Sequence, residues 1–580
     1  MFSQQWTTSE RKYDMVSERE TFVEMSDDTR LYCEVYRPKS DEKFPAILGL
    51  HPYSSNQARP IKPIPFLGVN WRNAGVEKNS GSLESGDPNF FARRGYVHVI
   101  ANLRGSGKSE GKFQYIGQRE LQDGYELIEW IAKQPWCNGK VGMFGVSYFA
   151  RIQLYVASTN PPSLKCIFAP WGSTDQYRDA FYQGGVLSAG WLLNWIKSGL
   201  ADGEIRPESH TLKELGEEKY AEAISRALHD PEITVHPEFV NALKNPKDGM
   251  NPFIVDILLH PNFDWFWKSR ILDYRKIKIP AYIGGDWGIY GLHLPAAFRS
   301  WENLNVPKKM IISHPAYLDR PVYQLSFEAL RWFDYWLKGS DTKIMDEAPV
   351  RLFLPNSGEW RESTGWPLPE TKWVPFYLHE GGMLSEHEFW PHEGQDSYQD
   401  SPYSRGSLTY LSPLLLENTE IIGPIVLRLF SSTTDDDVYF STTFFQVDRD
   451  GNELTLTKGW LKGSQAHKDP KLSKPWSPYY SCESPKLLTP DAMYEFDIAL
   501  VPTGNILKSG YRFGIKISGS DDPPKLPNEI TSAGHLRRQS PSRITIYHDA
   551  NNPSCLILPI TRGNLLGTFV SRFSSRPESK

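Results

Sequence analysis

"KVGMFGVSYFARIQLYVAS" occupies residues 140–158. Its first part, "KVGMFGVS" (140–147), reads as a buried strand. "YFARIQLYVAS" reads as a helix. Gly145 and Ser147 lie at the junction of the two. A chain that leaves a strand through Gly-x-Ser and enters a helix presents the serine at the carboxyl edge of a sheet. The glycine permits the sharp approach, and the helix N-terminus favours developing negative charge. Ser147 is therefore the candidate nucleophile, and the backbone N–H of Tyr148 is an oxyanion donor by construction. Phe149 stands where a full G-x-S-x-G motif has its last glycine, so a buried serine in an ordinary strand-to-helix turn is the alternative.

The flanking sequence supports the sheet. "FPAILGL" (44–50) and "YVHVIA" (96–101) are continuously apolar, as strands covered on both faces are. "RELQDGYELIEWIAKQP" (119–135) places Leu121, Tyr125, Ile128 and Ile131 on one helical stripe, and Pro135 stops it. Beyond a helical stretch, "IPAYIGG" (279–285) and "KKMIIS" (308–313) return as buried strands around the helical "LPAAFRSWENL". Strand and helix alternate, which predicts a parallel α/β domain over residues 1–170 and 276–345, with a helical cap inserted at 171–275. From 346 to 580 the strands alternate apolar and polar. Tyr511, Phe513, Ile515 and Ile517 face one way, and Arg512, Lys516 and Ser518 the other, which predicts an antiparallel sandwich.

Composition excludes several functions. The chain has 580 residues, with 64 Lys and Arg against 69 Asp and Glu, a net charge of −5. No basic block stands out, so neither nucleic acid nor an anionic membrane is an expected partner. No run of 18 apolar residues exists, and the first residues lack the apolar core of a secretory signal, so a cytoplasmic protein is expected. Cys33, Cys137, Cys166, Cys482 and Cys555 are scattered without a C-x-x-C pair, which suggests neither disulfides nor a zinc site. No metal and no cofactor is implied. "NLRGSGKSEG" (102–111) ends like a phosphate-binding loop, but Asn102 holds the place of its first glycine and no helix follows at the Lys-Ser pair. "VDRDGNEL" (447–454) has its glycine too early for a calcium loop and reads as a hairpin turn.

A serine nucleophile needs a base, and the base an orienting acid, in the order acid then histidine after the serine. The two strands after the cap end at Asp286 and His314, the candidate acid and base. A turn residue and a packed loop histidine are the alternatives. His293 is a rival base or a pocket residue. Tyr53, in "GLHPYSS" after the first buried strand, offers a phenolic donor to the oxyanion. Trp171 and Trp287 are candidate pocket residues, and the aromatic-rich cap, with Tyr177, Phe181, Trp191 and Trp195, could line an apolar acyl site.

Taken together, Pro52-Tyr53, "RGSGKSEG", "GVSYFA", "RWFDYWLKG" and "HDANNPSCLILPI" resemble the cocaine esterase and X-Pro dipeptidyl-peptidase family of serine hydrolases, with its α-amino acid ester hydrolase and acylase relatives, over nearly the whole chain. The resemblance implies an α/β-hydrolase domain, a helical cap and a jelly-roll C-terminal domain. It implies Ser147 as nucleophile and Tyr53 as side-chain oxyanion donor, and makes "NLRGSGKSEG" a structural loop near the active-site edge. This sequence departs from the family pattern in Asn102 for Asp and Ala150 for Gly. Asp286 precedes its tryptophan, and Ser313-His314-Pro315 replaces the usual histidine run. The expected activity is acyl-enzyme hydrolysis of a small-molecule ester or amide with a small or aromatic acyl group. Two other readings stay open: the same fold turned to acyl transfer or to a lyase or isomerase step, and a relay-deficient binding scaffold. A homo-oligomer is left open too.

Overall fold

The computed structural model describes residues 7–53, 83–200, 204–288, 291–313, 320–388, 394–401, 406–521 and 541–563. The first strands are β1 (Met15–Glu24), β2 (Arg30–Pro38), β3 (Phe44–His51), β4 (Val97–Asn102), β5 (Cys137–Phe144) and β6 (Leu164–Pro170). A short hairpin, β7 (Tyr182–Gln183) and β8 (Val186–Leu187), stands apart from the sheet. The sheet is completed by β9 (Ala281–Asp286), β10 (Lys308–Ser313), β11 (Val350–Leu354) and β12 (Glu359–Ser363), in the order β1-β2-β4-β3-β5-β6-β9-β10-β11-β12. From β4 to β11 all neighbours are parallel. Every residue of β3, β4 and β9 is buried, as helices on both faces require. The carboxyl ends of β3, β5, β6 and β9 therefore share one edge.

The expected helices form α2 (Gln118–Lys133) and α3 (Tyr148–Ala157), after a short α1 (Pro88–Ala92). The segment after β6 carries α4 (Ala189–Trp195), α5 (His210–Ala227), α6 (Pro231–Thr234), α7 (Pro237–Lys244), α8 (Asn251–Leu258) and α9 (Trp265–Lys268). α10 (Leu294–Asn303) follows β9, and α11 (Arg320–Phe333) follows β10. The expectation of helix alone for 171–275 is corrected at the β7–β8 hairpin. Gly184 and Gly185 take φ of +60° and +83° there, and glycine turns between short apolar pairs are a hairpin signal. A Cβ on Gly184 would sit 1.9 Å from the Trp460 carbonyl oxygen, so the turn meets the C-terminal strands directly.

The α/β sheet also takes two strands from beyond the boundary expected at 345. β11 and β12 belong to the α/β sheet, and β11 alternates buried and half-buried residues just as a sandwich strand does. The C-terminal strands start at β13 (Lys372–His379). They continue as β14 (Met383–Ser385), β15 (Gln395–Asp400), β16 (Ser407–Leu411), β17 (Thr419–Thr433), β18 (Tyr439–Val447), β19 (Glu453–Lys462), β20 (Tyr494–Leu507), β21 (Arg512–Ser518), β22 (Ser542–Tyr547) and β23 (Cys555–Arg562). They form one sheet, in the order β15-β22-β17-β20-β19-β18-β21-β16-β14-β13-β23, closed into a barrel where β17 also pairs β23. β17 is long enough to pair β23 along Glu420–Arg428 and β22 along Phe430–Thr433, while β20 takes its other edge. The Asp448–Asn452 segment is the expected turn between β18 and β19, with Asp448 Oδ1 accepting from the backbone of Asp450 and Asn452. No helix among the described residues is long and apolar enough to cross a membrane.

Candidate active site

Ser147 sits between β5 and α3 with φ 60° and ψ −121°. A non-glycine residue held there is strained by about 1–3 kcal/mol, and such strain concentrates at functional turns. Gly145 makes the turn possible: at its φ of +138° a Cβ would lie 2.4 Å from the Phe149 Cβ and 3.0 Å from the Glu84 carbonyl oxygen. The Ser147 side chain caps no α3 backbone group, so its hydroxyl is left to the space above the sheet edge. The backbone N–H of Tyr148 is among the first-turn donors that have no intrahelical acceptor.

Tyr53 comes from the loop after β3. Its phenol lies against the Ser147 hydroxyl and the Trp195 indole. Burial pushes the phenol's pKa up and Glu84 adds to this, while Trp195, Ser147 and Arg151 pull the other way. The group therefore stays a proton donor. Its backbone is fixed twice. Tyr53 N–H donates to His51 Nδ1 at 3.1 Å, and Asn102 Nδ2 donates to the Tyr53 carbonyl at 2.9 Å. His51 stacks on Phe149 at 4.7 Å, and burial drives its pKa down to about 3, so it accepts as a neutral ring.

This gives "NLRGSGKSEG" its role. Asn102 ends β4 and reaches Tyr53. Gly107, at φ +49°, passes where a Cβ would be 2.5 Å from Asn102 Oδ1. Ser109 Oγ donates to the Asn102 carbonyl at 2.9 Å. Arg104 ties the loop down through Asp123, with its Nη2 2.7 Å from Oδ1, both side chains being buried. The run is a brace for the Tyr53 loop.

Asp286 ends β9 and is fully buried. Trp171 Nε1 donates to its Oδ2 at 2.7 Å, and the Gly288 N–H donates to its Oδ1 at 2.7 Å. Trp171 is thus placed as a partner of the carboxylate, at the end of β6 with φ 56°. Asp286 pairs in register with Ser313 of β10. His314 follows Ser313 and lies outside the described residues, as does most of the loop 54–88 that could form a lid or contact surface. His293, the residue before α10, is buried and its Nδ1 lies 3.1 Å from the Gly172 carbonyl. A carbonyl can only accept, so Nδ1 carries the proton and Nε2 is the basic nitrogen. Burial first, then the Arg151 charge, lower its pKa to about 3. Trp287 is not brought to Ser147 by its contacts. Its indole N–H donates to the Phe353 carbonyl at 2.6 Å, and its ring packs on Phe298 and Gly504, at the junction with the barrel.

The X-Pro dipeptidyl-peptidase (S15 family) model matches residues 27–317, and the model of its C-terminal non-catalytic domain matches 342–557. The chain belongs to the S15 family. It is an enzyme of the hydrolase type, in a family of serine hydrolases. Among S15 relatives, the cocaine esterase of Rhodococcus sp. (strain MB1 Bresler) is 27% identical over 93% of this chain and 98% of that protein. A CocE/NonD family hydrolase of Staphylococcus aureus superposes with a TM-score of 0.78 at 25% identity, covering 94% of each chain. An α-amino acid ester hydrolase, 18% identical, shares the fold with a TM-score of 0.72 over 97% of this chain and 99% of that one. Against this S15 frame, sequence reasoning missed His51, Arg151 and the Asn102 amide. His51 and Asn102 could have been found from their positions as the last residues of two neighbouring buried strands. Arg151 carries a signal too: it is the single charged residue of α3, and it is buried.

Proposed function

We propose that this enzyme cleaves an ester or amide by an acyl-enzyme route with Ser147 as nucleophile. The observation that carries this reading is the strained Ser147 turn with the Tyr53 phenol against its hydroxyl. Ser147 Oγ attacks the substrate carbonyl carbon while a histidine takes its proton. The carbonyl oxygen becomes an oxyanion held by the Tyr53 O–H and the Tyr148 N–H. The leaving alcohol or amine departs with the proton returned by the histidine. Water then repeats the sequence on the acyl-enzyme and releases the acid. His314 is the base by chain order and Asp286 the acid that orients it, with Trp171 and the Gly288 N–H keeping that carboxylate aligned. The name of the Rhodococcus relative supports ester over amide. The same reading takes 171–275 as a cap over the nucleophile and the C-terminal barrel as a flattened jelly roll.

The test is a fluorophosphonate label mapped by intact mass and peptide sequencing. One adduct on Ser147 is expected, and Ser147→Ala should lose the label and at least ~10³-fold in kcat on an activated ester. A label on another residue, or an active Ser147→Ala protein, overturns the assignment.

A further inference from the structure

The amino-terminal edge of the parallel sheet, opposite the Ser147 turn, holds a cavity of about 530 Å³. That volume lies within the range of small-molecule sites. The cavity opens where β5, β6 and β9 begin. Its apolar lining includes the buried Ala157 and Leu164 and the half-buried Ile279 and Pro280. Trp336 lines it from the π turn Asp334–Lys338 that continues α11. The Trp336 indole N–H is shut off from solvent and has no acceptor among the described residues. Lys140, Lys165 and Lys278 line the cavity as well, and among the described residues no Asp or Glu does.

The three ammonium groups are not neutralised. Lys140 Nζ donates to the Leu337 carbonyl at 3.1 Å, and Lys165 Nζ to the Pro162 carbonyl at 2.7 Å. Each spends one of its three N–H donors on a backbone group without net charge, which fixes the side chain and leaves two donors. Among the described residues none of the three lysines forms an ion pair. Glu129, a carboxylate beside this edge, is taken up by the Ser163 N–H and Oγ at 2.9 and 3.0 Å. Like charges gathered round an apolar hollow focus their field into it and favour an anion there. The site is separate from the chemistry. At ~3.3 Å per residue, the run of β9 from Ala281 to Asp286 keeps the cavity about 17 Å from the candidate acid.

We propose that this cavity is a second binding site, distinct from the active site, for an aromatic acid bound as its anion. The lysines hold the acid oxygens, and the Trp336 N–H adds a neutral donor that otherwise stays unsatisfied. The indole and the aliphatic lining cover the ring of the ligand. The proposal does not depend on the acyl-enzyme reading.

The test uses the full-length protein and 8-anilinonaphthalene-1-sulfonate, with N-phenyl-1-naphthylamine as the same ring system without the sulfonate. Fluorescence titration of wild type with the sulfonate should saturate. Lys140→Gln/Lys165→Gln/Lys278→Gln should weaken that binding by ~10–100-fold, the loss expected when charge-assisted contacts are removed. The same variant should bind the uncharged amine as wild type does, so the amine is each protein's own reference for general damage. All three lysines are exposed, and their replacement leaves the core untouched. Trp336→Phe, which keeps a ring but loses the N–H, should weaken the sulfonate several-fold. No saturable binding by wild type, an affinity that survives the triple replacement, or equal losses for sulfonate and amine overturns the proposal. A second readout locates the probe. Amide hydrogen exchange of wild type should slow at 160–165 and 278–281 when the sulfonate is added. Slowing that leaves both segments unchanged places the probe elsewhere and overturns the proposal as well.

Discussion

Two histidines are candidates for the base that takes the Ser147 proton, and a pH–rate profile separates them. His293 already has the tautomer a base needs, with Nδ1–H held by Gly172. Its pKa of about 3 makes it a weak acceptor, because proton transfer is most efficient when the base titrates near the working pH. His314 should therefore carry the proton. The acid limb of kcat/KM on an activated ester is expected near pH ~6.5, the ordinary histidine value. That limb should vanish in His314→Ala and persist in His293→Ala. A wild-type profile flat down to pH 4 would assign the base to His293 instead. At this scale the strained Ser147 turn and the place of Tyr53 just after β3 were legible, because turn chemistry and strand ends are local. The sequence did not disclose that Asp286 would be bonded by Trp171, since 115 positions separate the two and only the sheet order brings β6 and β9 together. It also named Trp171 and Trp287 alike as possible pocket residues, and their contacts differ: Trp171 donates to the Asp286 carboxylate and Trp287 packs at the barrel junction.

Among the elements, the parallel strands and the helices α2, α3 and α10 were legible because their apolar runs are unbroken or strictly periodic. The β7–β8 hairpin was not, because two residues per strand give no period to read. Its turn is nevertheless a joint between the two halves of the molecule. The Lys462 N–H donates to the Gly184 carbonyl at 2.8 Å, and Lys462 Nζ reaches Glu232 Oε1 at 2.7 Å. Gly184 and Gly216 offer a matched comparison, since both have positive φ and only Gly184 is crowded. Gly216 has nothing within 4 Å of its would-be Cβ. Gly216→Ala should cost only the strain of its φ 76°, ψ 167° backbone, a region that glycine alone adopts readily, about 1–3 kcal/mol. Gly184→Ala adds a collision with the Trp460 carbonyl, and should lower Tm further and open residues 171–205 to limited proteolysis. Equal Tm values for the two variants would mean that the hairpin does not bind the barrel.

Across the whole molecule, stability should depend on acid through buried histidines. His51, His98 and His293 are each held near pKa 3 by burial, against 6.5 for the exposed ring. The unfolded chain binds protons that the folded chain refuses, so stability is complete above pH ~6.5 and is lost as pH falls toward 3. Each such histidine contributes up to about 1.4 kcal/mol per pH unit within that window. His98 is the cleanest case, since among the described residues neither ring nitrogen has a hydrogen-bond partner. The fall in Tm from pH 7 to pH 5 should be shallower in His98→Leu than in wild type; an unchanged slope would mean that His98 is not a source of the acid sensitivity. The α/β core and an all-β second half were both readable from strand period. Barrel closure was not, because alternation reports a covered face and not which strand lies beside which. That closure makes the C-terminal half a late event during synthesis. β17 leaves the ribosome with one edge destined for β22 and β23, whose residues come more than a hundred positions later, whereas the α/β sheet is complete by Ser363. Until Cys555–Arg562 arrives, the edge of β17 along Glu420–Arg428 waits unpaired, so the nascent chain is most prone to aggregate when its catalytic half is already formed.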